Sequence, residues 1–298
     1  MRKKVYSASI TPLLADGGLD AGGLGRIFER NIRHGVDGIF ILGSMGEWQC
    51  FDNAFRDRLV AESVRAMAGR AELLVGITDV STEAALGNMR RAAEHAFDSY
   101  VFMLPKNGVS DPVRDVRRVL DAADRPVYYY HCPPNNGIDL SLAQFAEMMA
   151  HPRLKGIKNS ASNMWLRREL LLLKAERGFG AALLEGQEWA ADEALLVGYD
   201  GMLCGMGALG SAFMAGIARA VDAGDVAAAV RLQNRFIRLF HGVYGKGLET
   251  VWVGQKYALK CLGLCASETT LAQGMEALTE TRKRGIETCL EAFRQELD

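Results

Sequence analysis

The sequence predicts an α/β protein, a closed (β/α)8 TIM barrel with a C-terminal helical appendage. Three observations favour this fold class. Short β-rich runs alternate with longer segments of helical apolar spacing, the β-rich runs number eight, and residues 225–298 carry no strand pattern. A barrel of this kind has eight strands, each followed by a helix, whereas an open doubly wound sheet normally has fewer. We therefore expect a barrel over residues 1–224 and a helical region over 225–298 packed on it.

The strands and helix starts are predicted from apolar periodicity and from capping residues. The predicted strands are Val5–Ile10, Gly38–Leu42, Leu73–Thr78, Tyr100–Leu104, Val127–Tyr130, Leu154–Lys158, Ala182–Glu185 and Gly201–Cys204. The residues expected to cap the following helices are Asp20, Asp52, Ser81, Ser110 and Ser141. Each predicted strand is thus followed by a segment with helical spacing, as the barrel requires.

Composition excludes several classes of protein. The 35 basic and 36 acidic residues give a net charge of −1, which provides no general attraction to nucleic acid or to an anionic membrane. The six cysteines include no CxxC pair and lie near no histidine cluster, so neither a disulfide framework nor a metal site is expected. There is no run of about 18 apolar residues and no apolar signal-peptide segment. We expect a cytoplasmic protein with a small-molecule substrate.

Lys158 is the first candidate for chemistry, because catalytic groups of such barrels lie at the C-terminal ends of the strands. Side chains alternate along a strand, so Lys158 shares a face with Gly156 while Ile157 takes the other. We expect Lys158 to point into the barrel, with Gly156 leaving it room. Desolvation there favours the neutral amine, the nucleophile for a Schiff base with a carbonyl compound. The alternative is a lysine that extends to water.

Other polar residues at strand ends are weaker candidates. Tyr130 could transfer protons beside an amine, and Ser44, in a glycine-flanked loop, could extend the same relay. Lys106 precedes an Asn-Gly turn and is expected to be solvated. Glu188 could contact a hydroxylated substrate or be a carboxylate at a helix N-terminus. The glycines of residues 205–210 fit a dinucleotide fingerprint, but no second strand follows to complete that unit.

Four segments give the sequence a recognisable pattern. They are Ile10-Thr11-Pro12, Gly43-Ser44-Met45-Gly46-Glu47, Tyr130-His131-Cys132-Pro133 and Gly156-Ile157-Lys158-Asn159-Ser160. In order and spacing the chain resembles the dihydrodipicolinate synthase / N-acetylneuraminate lyase family. The resemblance implies a barrel that joins pyruvate, or a 2-oxo acid that yields pyruvate, to a lysine as a covalent imine, with no other cofactor. It also implies a homotetramer, although a dimer stays open.

The resemblance also implies roles for individual residues. Lys158 matches the Schiff-base lysine, Tyr130 the proton-transferring tyrosine and Ser44 the relay hydroxyl, while the backbone of Ser44 and Met45 matches the cradle for the pyruvate carboxylate. The further substrate-binding positions expected at the strand ends are Thr11, Asn135, Gly186, Glu188 and Cys204.

Departures from the family pattern bear on the substrate. Asn135 stands where dihydrodipicolinate synthases usually carry an arginine, Met45 where they carry threonine, and Pro105-Lys106-Asn107 where they carry Pro-Tyr-Tyr. Sialic acid lyases usually have an acidic pair where this chain has Gln187 and Glu188. The pattern Gly-Ser-x-Gly-Glu-aromatic at residues 43–48 and Pro-x-Asn-x-Gly at residues 133–137 more closely resembles aldolases of the same family that act on other substrates. This resemblance implies cleavage of 4-hydroxy-2-oxoglutarate or a 2-keto-3-deoxy sugar acid. A dihydrodipicolinate synthase, an N-acetylneuraminate lyase, a sugar-acid dehydratase and a weakly active oxo-acid-binding barrel remain alternatives.

Overall fold

The computed structural model describes residues 2–297, which form a closed barrel of eight parallel strands surrounded by helices. Residues 1 and 298, the outer ends of the two predicted units, lie outside this range. The strands are β1 Lys4–Ala8, β2 Gly38–Ile41, β3 Glu72–Gly76, β4 Ser99–Phe102, β5 Val127–His131, β6 Leu154–Asn159, β7 Ala182–Glu185 and β8 Gly201–Cys204. Each strand pairs with the next in the chain, and β8 pairs with β1. The predicted (β/α)8 fold is confirmed.

Helices follow the strands and continue beyond the barrel. The helices that follow β1 to β8 are α1 Ala21–Arg33, α2 Asn53–Met67, α3 Thr82–Ala92, α4 Pro112–Ala122, α5 Pro133–Asn136, α6 Leu142–Met149, α7 Met164–Arg177, α8 Ala191–Leu196 and α9 Gly207–Asp222. The later helices are α10 Val226–Tyr244, α11 Val251–Cys261, α12 Glu280–Ala292 and α13 Arg294–Leu297. No helix within residues 2–297 is both long and apolar enough to cross a membrane.

The predicted strand boundaries lie within two residues of the observed ones, and the differences have physical causes. The predicted N-caps are confirmed at Asp20, Asp52, Ser81 and Ser141. The prediction for Ser110 is wrong, because the Asp111 carboxylate accepts the Arg114 N–H and caps α4. The predicted ends of β1 to β4 run one or two residues too far. The extra apolar residues, such as Ile10 and Leu104, are buried in loops instead.

The inward and outward faces of the strands pack in separate layers. Inside the barrel lie Tyr6, Ala8, Phe40, Leu74, Val101, Met103, Tyr128, Tyr130, Cys132, Leu184 and Leu203. Tyr129 and Ile157 belong to the other layer, between the sheet and the helices. Because side chains alternate, this arrangement places Tyr130 and Lys158 inside the barrel.

A polar network fills the N-terminal end of the barrel. Lys155 Nζ donates to Glu72 Oε2 at 2.7 Å, and the Tyr6 hydroxyl donates to Glu72 Oε1 at 3.2 Å. The hydroxyls of Tyr6 and Tyr128 lie 3.4 Å apart. Side chains rather than solvent thus occupy this end of the barrel, and the inward residues at the opposite end are left to face the barrel mouth.

Candidate active site

Lys158 lies inside the barrel near the C-terminal end of β6. Its side chain is only 4% exposed, and Nζ lies 4.1 Å from the centroid of the Tyr130 ring and 5.6 Å from that of Phe40. Burial lowers the pKa of the Lys158 ammonium, and the nearby Cys132 and Glu188 only partly oppose this. The lysine therefore does not extend to water, and its neutral, nucleophilic form is favoured.

The glycine that makes room for Lys158 is Gly186, not Gly156. A Cβ atom at Gly156 would lie 2.8 Å from the Tyr128 ring, so Gly156 accommodates that tyrosine. A Cβ atom at Gly186 would lie 3.0 Å from Lys158 Cε and 2.0 Å from Ser160 Oγ. The expectation for Gly156 is wrong because Tyr128, its partner on the neighbouring strand β5, fills the space.

Ser160 is a site residue to which sequence reasoning gave no role. Its hydroxyl is buried beside the Tyr130 phenol and makes no well-aligned hydrogen bond within residues 2–297. It occupies the space left by Gly186, next to the side chain of Lys158. A buried hydroxyl without a partner is costly. It is therefore available to a molecule bound at Lys158. Its position two residues after Lys158, on the same strand face, is the signal that could have identified it.

Tyr130 and Ser44 are neighbours, as the proposed relay requires. Burial raises the pKa of the Tyr130 phenol well above its ordinary value, and the nearby hydroxyls of Ser44 and Ser160 oppose that rise. Asn135 Nδ2 donates to Ser44 Oγ at 3.0 Å. The structure thus brings Lys158, Tyr130, Ser44 and Asn135 together across three strand ends.

The loop that carries Ser44, residues 42–47, is held by the rest of the barrel and is named here the β2 loop. Gly43 is required where it lies, because a Cβ atom there would be 2.5 Å from the Phe40 ring. Thr11 Oγ1 donates to the Gly46 carbonyl at 2.8 Å. Thr11 therefore supports this loop.

The region after the barrel also holds the β2 loop. Glu47 and Lys256 are both fully buried and form an ion pair. Glu47 Oε2 also accepts the Thr270 hydroxyl at 3.0 Å and the Leu271 N–H at 2.7 Å. In addition, Trp252 Nε1 donates to the Ser44 carbonyl at 3.0 Å. The ends of each link lie more than 200 positions apart, so no local pattern indicated them.

An open cavity of about 430 Å³ lies at the barrel mouth and is named here the mouth cavity. Its lining residues are Ser44, Trp48, Gln49, Thr78, Asp79, Val80, Met103, Leu104, Pro105, Lys106, Asn107, Pro134, Asn135, Asn136 and Trp252. Ser44 and Asn135 connect this cavity to Tyr130. Trp48 lines it, whereas Trp189 is 46% exposed and packs edge-on against Phe240.

Glu188 and Met45 lie beside the last barrel strand rather than in the mouth cavity. Glu188 is 7% exposed, and its Oε1 accepts the Met206 N–H at 2.9 Å. Burial raises the pKa of Glu188, while this hydrogen bond and the charge of Lys158 oppose the rise. A Cβ atom at Gly205 would contact both Met45 and Glu188. Glu188 therefore lies close enough to Lys158 for each group to influence the pKa of the other.

The remaining predicted position, Cys204, is fully buried, with Sγ 3.8 Å from the Glu185 carbonyl. Burial raises the pKa of its thiol well above the ordinary value. Burial also raises the pKa of Glu185 to about 7, although Arg167 Nε lies 2.8 Å from its carboxylate. Among residues 2–297, no group of three or more His, Cys, Asp or Glu side chains could hold a metal ion.

Comparison with known proteins adds independent information. The model of the dihydrodipicolinate synthetase family matches residues 1–293. A 4-hydroxy-tetrahydrodipicolinate synthase from Gluconacetobacter diazotrophicus is 29% identical over 272 residues, which cover 90% of each chain. An uncharacterized DapA-like lyase from Rhizobium meliloti is 26% identical over 270 residues, 90% of this chain and 88% of the relative.

Solved structures share the fold over nearly the whole chain. YagE from E. coli K12, a dihydrodipicolinic acid synthase family protein solved with pyruvate, has a TM-score of 0.87 and 22% identity, with 98% of each chain covered. CdNal from Clostridium difficile, solved with mannosamine, has a TM-score of 0.88 and 20% identity, covering 98% of this chain and 99% of that one. The match along the whole sequence and the barrel together lead to one assignment. The chain belongs to the dihydrodipicolinate synthetase family and is a lyase of its class I, lysine Schiff-base type.

Proposed function

We propose that this enzyme cleaves a hydroxylated 2-oxo acid to pyruvate and an aldehyde, with Lys158 as the Schiff-base residue. One observation carries the proposal: the Lys158 amine is buried, has a lowered pKa and lies against the Tyr130 ring. A neutral amine in a dry pocket beside a phenol is suited to attack on a carbonyl carbon. The covalent imine is the only cofactor that the reaction needs.

The proposed reaction starts when the Lys158 amine adds to the C2 carbonyl carbon and water leaves with the proton of the Tyr130 hydroxyl, which gives a protonated imine beside a Tyr130 phenolate. Tyr130, as the phenolate, then takes the proton of the C4 hydroxyl. The C3–C4 bond breaks, its electron pair moves into the imine to form an enamine, and the aldehyde departs. Tyr130 returns the proton to C3, and water then hydrolyses the protonated imine to pyruvate and the free amine, while the released proton passes back to the Tyr130 phenolate. Each proton taken is returned, so no oxidant or reductant enters.

Ser44 has two proposed roles in this reaction. Its hydroxyl passes the proton between Tyr130 and the mouth cavity, since it neighbours the phenol and lines the cavity. The backbone N–H groups of Ser44 and Met45 hold the C1 carboxylate of the 2-oxo acid, as backbone N–H groups do in anion-binding nests. We further propose that Glu188 tunes the amine of Lys158 and that Asn135 contacts the substrate hydroxyl.

The proposed substrates are 4-hydroxy-2-oxoglutarate and 2-keto-3-deoxy sugar acids. The neutral side chains of Asn135, Asn107 and Thr78 line the mouth cavity and favour partners with hydroxyl groups. Asn135 in place of the expected arginine removes a bidentate contact to a carboxylate.

A second candidate is the condensation of pyruvate with aspartate semialdehyde. It is favoured by the relative from Gluconacetobacter diazotrophicus, which is named a 4-hydroxy-tetrahydrodipicolinate synthase. Both candidates start from the same imine at Lys158, so the chemistry of the amine does not separate them. They differ in the aldehyde that the mouth cavity has to hold.

Trapping the imine tests the role of Lys158. The protein is treated with pyruvate and borohydride, and the modified peptide is mapped by mass spectrometry. We expect one adduct, on Lys158, in the wild type and in Lys106→Met, and none in Lys158→Arg, which keeps a long basic side chain but cannot form the imine. An adduct on Lys106, or no adduct in the wild type, contradicts the proposal.

A turnover screen tests the substrate. Pyruvate release is measured with 4-hydroxy-2-oxoglutarate, 2-keto-3-deoxy sugar acids and N-acetylneuraminate, beside a dehydration assay and a condensation assay with aspartate semialdehyde. We expect the highest kcat/KM for one of the first two. If aspartate semialdehyde is far ahead, the second candidate is correct and the reasoning from Asn135 is wrong. An adduct at Lys158 without turnover of any compound would indicate an oxo-acid-binding barrel.

We also propose that the chain assembles as a homotetramer. Two adjacent apolar side chains at the start of α7, Met164 and Trp165, are 74% and 76% exposed in the single chain. Side chains of this size are usually covered in the assembled state.

A further inference from the structure

Lys106 brings a positive charge to the mouth cavity. It follows Pro105 at the end of the loop from β4, next to a turn in which Gly108 has a φ of +77°. Its side chain is exposed, and it lines the same cavity as Ser44 and Asn135. The Asn-Gly turn after Lys106 predicted an ordinary solvated loop residue, because the sequence alone does not show that this loop lines the mouth cavity.

The other charged residue that lines the mouth cavity, Asp79, is already paired. Its Oδ2 accepts hydrogen bonds from Arg56 Nη1 and Asn88 Nδ2, each at 2.8 Å. Burial alone would raise the pKa of Asp79, but the Val80 N–H, Asn88 and the charge of Arg56 together lower it. Asp79 is therefore an ionised carboxylate whose charge Arg56 balances.

Lys106, in contrast, forms no hydrogen bond and no ion pair with any of residues 2–297. Within the chain its charge therefore has no counter-ion, and because Asp79 is balanced by Arg56, the lining of the mouth cavity carries an excess of positive charge. The indole rings of Trp48 and Trp252 form part of the cavity wall and exclude water from that side of the cavity. A cleft with one sign of charge and apolar walls attracts ligands of the opposite charge.

We propose that Lys106 is a distal anion subsite, which binds a carboxylate at the far end of the 2-oxo acid joined to Lys158. This inference rests on the proposed function, because the imine fixes one end of the substrate. The cation that is missing at Asn135 is supplied instead by the loop after β4. The preferred substrates are accordingly 2-oxo acids with a second acid group, such as 4-hydroxy-2-oxoglutarate, rather than sugar acids with an uncharged end.

The contact can be measured without turnover. The measured quantity is the concentration of 2-oxo acid that gives half-maximal trapping by borohydride. It is compared between two sets of compounds: 2-oxo acids of five and six carbons that end in a carboxylate, and alkyl 2-oxo acids of the same chain lengths. A hydrogen bond to a charged group contributes about 1.5 kcal/mol or more, which corresponds to roughly tenfold. We expect the wild type to prefer the dicarboxylate of one of these lengths by about tenfold over its alkyl counterpart.

Variants assign that preference to Lys106. Lys106→Met should remove it, Lys106→Arg should keep most of it, and Lys246→Met, an exposed lysine that does not line the mouth cavity, should leave it unchanged. Trapping of pyruvate, which has no second acid group, should be the same in all of them. Raising the salt concentration should weaken the binding of the dicarboxylates but not that of the alkyl 2-oxo acids, because salt screens an exposed charge.

The two proposals fail in different ways. If pyruvate is trapped at Lys158 but the wild type and Lys106→Met show the same dicarboxylate preference, the distal subsite is wrong and the proposed function stands. If pyruvate is not trapped at Lys158 in the wild type, the proposed function is wrong and the subsite falls with it.

Discussion

Glu47 and Lys256, each without exposed side-chain surface, form an ion pair that ties the loop after the second barrel strand to α11. The Lys256 ammonium also donates to the Thr269 carbonyl at 2.9 Å. Burial lowers the pKa of Lys256, and the carboxylate of Glu47 opposes that shift. Each of the two buried charges is thus the counter-ion of the other. Glu47 lies three residues after Ser44 in the chain.

Removing one partner of this pair should destabilise the protein strongly. In Glu47→Gln the amide keeps an acceptor for the Leu271 N–H but leaves the Lys256 charge buried without its counter-ion. The expected loss is about 3–5 kcal/mol in the free energy of unfolding, as for other broken buried pairs. Denaturant unfolding followed by circular dichroism measures it.

Two further variants control this prediction. Glu47→Gln combined with Lys256→Met should lose less than the sum of the single changes, because no unpaired charge remains. Arg117→Met, at the exposed pair of Arg117 with Glu147, should cost about 1 kcal/mol or less. Equal losses at the buried and the exposed pair would contradict the interpretation.

Trp252→Phe tests whether α11 positions the serine of the relay. The phenyl ring fills part of the cavity wall but cannot donate to the Ser44 carbonyl, 3.0 Å from Nε1. We expect kcat to fall by about tenfold, the scale of one lost hydrogen bond. The pyruvate concentration that gives half-maximal trapping should change little. Trp189→Phe, on the exposed helix start, is the matched control. A loss that appears only as lower thermal stability would indicate a purely structural tryptophan.

Tyr130→Phe tests the proton transfer. The variant should still form the imine with pyruvate, because the Lys158 amine remains, but its turnover should fall by about 10²-fold or more, the scale of a lost acid–base group. Ser44→Ala should be milder, since its backbone N–H remains. Tyr129→Phe removes a hydroxyl that has no hydrogen-bond partner within residues 2–297 and should change nothing. Turnover of Tyr130→Phe at the wild-type rate would refute the relay.

The rate of pyruvate trapping should depend on pH through Lys158. Only the neutral amine attacks, so the rate rises as pH passes the pKa, and burial places that pKa below the ordinary lysine value of 10.5. Glu188 raises the pKa of Lys158, so Glu188→Gln should move the midpoint to lower pH. Glu147→Gln, on the surface, should not move it. A shift to higher pH in Glu188→Gln would mean that the carboxylate does not act on the amine.

Association should depend on the exposed start of α7. Light scattering of the wild type should give about four times the chain mass of 32.6 kDa. Trp165→Glu should lower the mass, because burying an unpaired charge in an apolar contact is unfavourable. Val226→Glu changes a side chain that is 51% exposed at the start of α10 and should not affect it. A single-chain mass for the wild type at micromolar concentration would exclude the tetramer.

Features that depend on neighbouring residues could be predicted from the sequence, whereas contacts between residues far apart in the chain could not. The inward orientation of Lys158 follows from alternation within one strand, so it could be predicted from neighbouring residues. Trp252 contacts a residue 208 positions earlier, and nothing in its helix indicates that contact. The same holds for Gly156 and Gly186. Which glycine leaves space for which side chain depends on packing between neighbouring strands, which a single strand does not encode.

The closed end of the barrel has a consequence for the order of events. Lys155, Glu72, Tyr6 and Tyr128 occupy the end opposite the mouth, so a molecule attached to Lys158 has protein beneath it. In the proposed reaction the second reactant therefore sits nearer the exit than pyruvate. The aldehyde must leave before pyruvate in cleavage and must arrive after it in condensation. Steady-state product inhibition should accordingly be competitive for pyruvate against the 2-oxo acid and noncompetitive for the aldehyde.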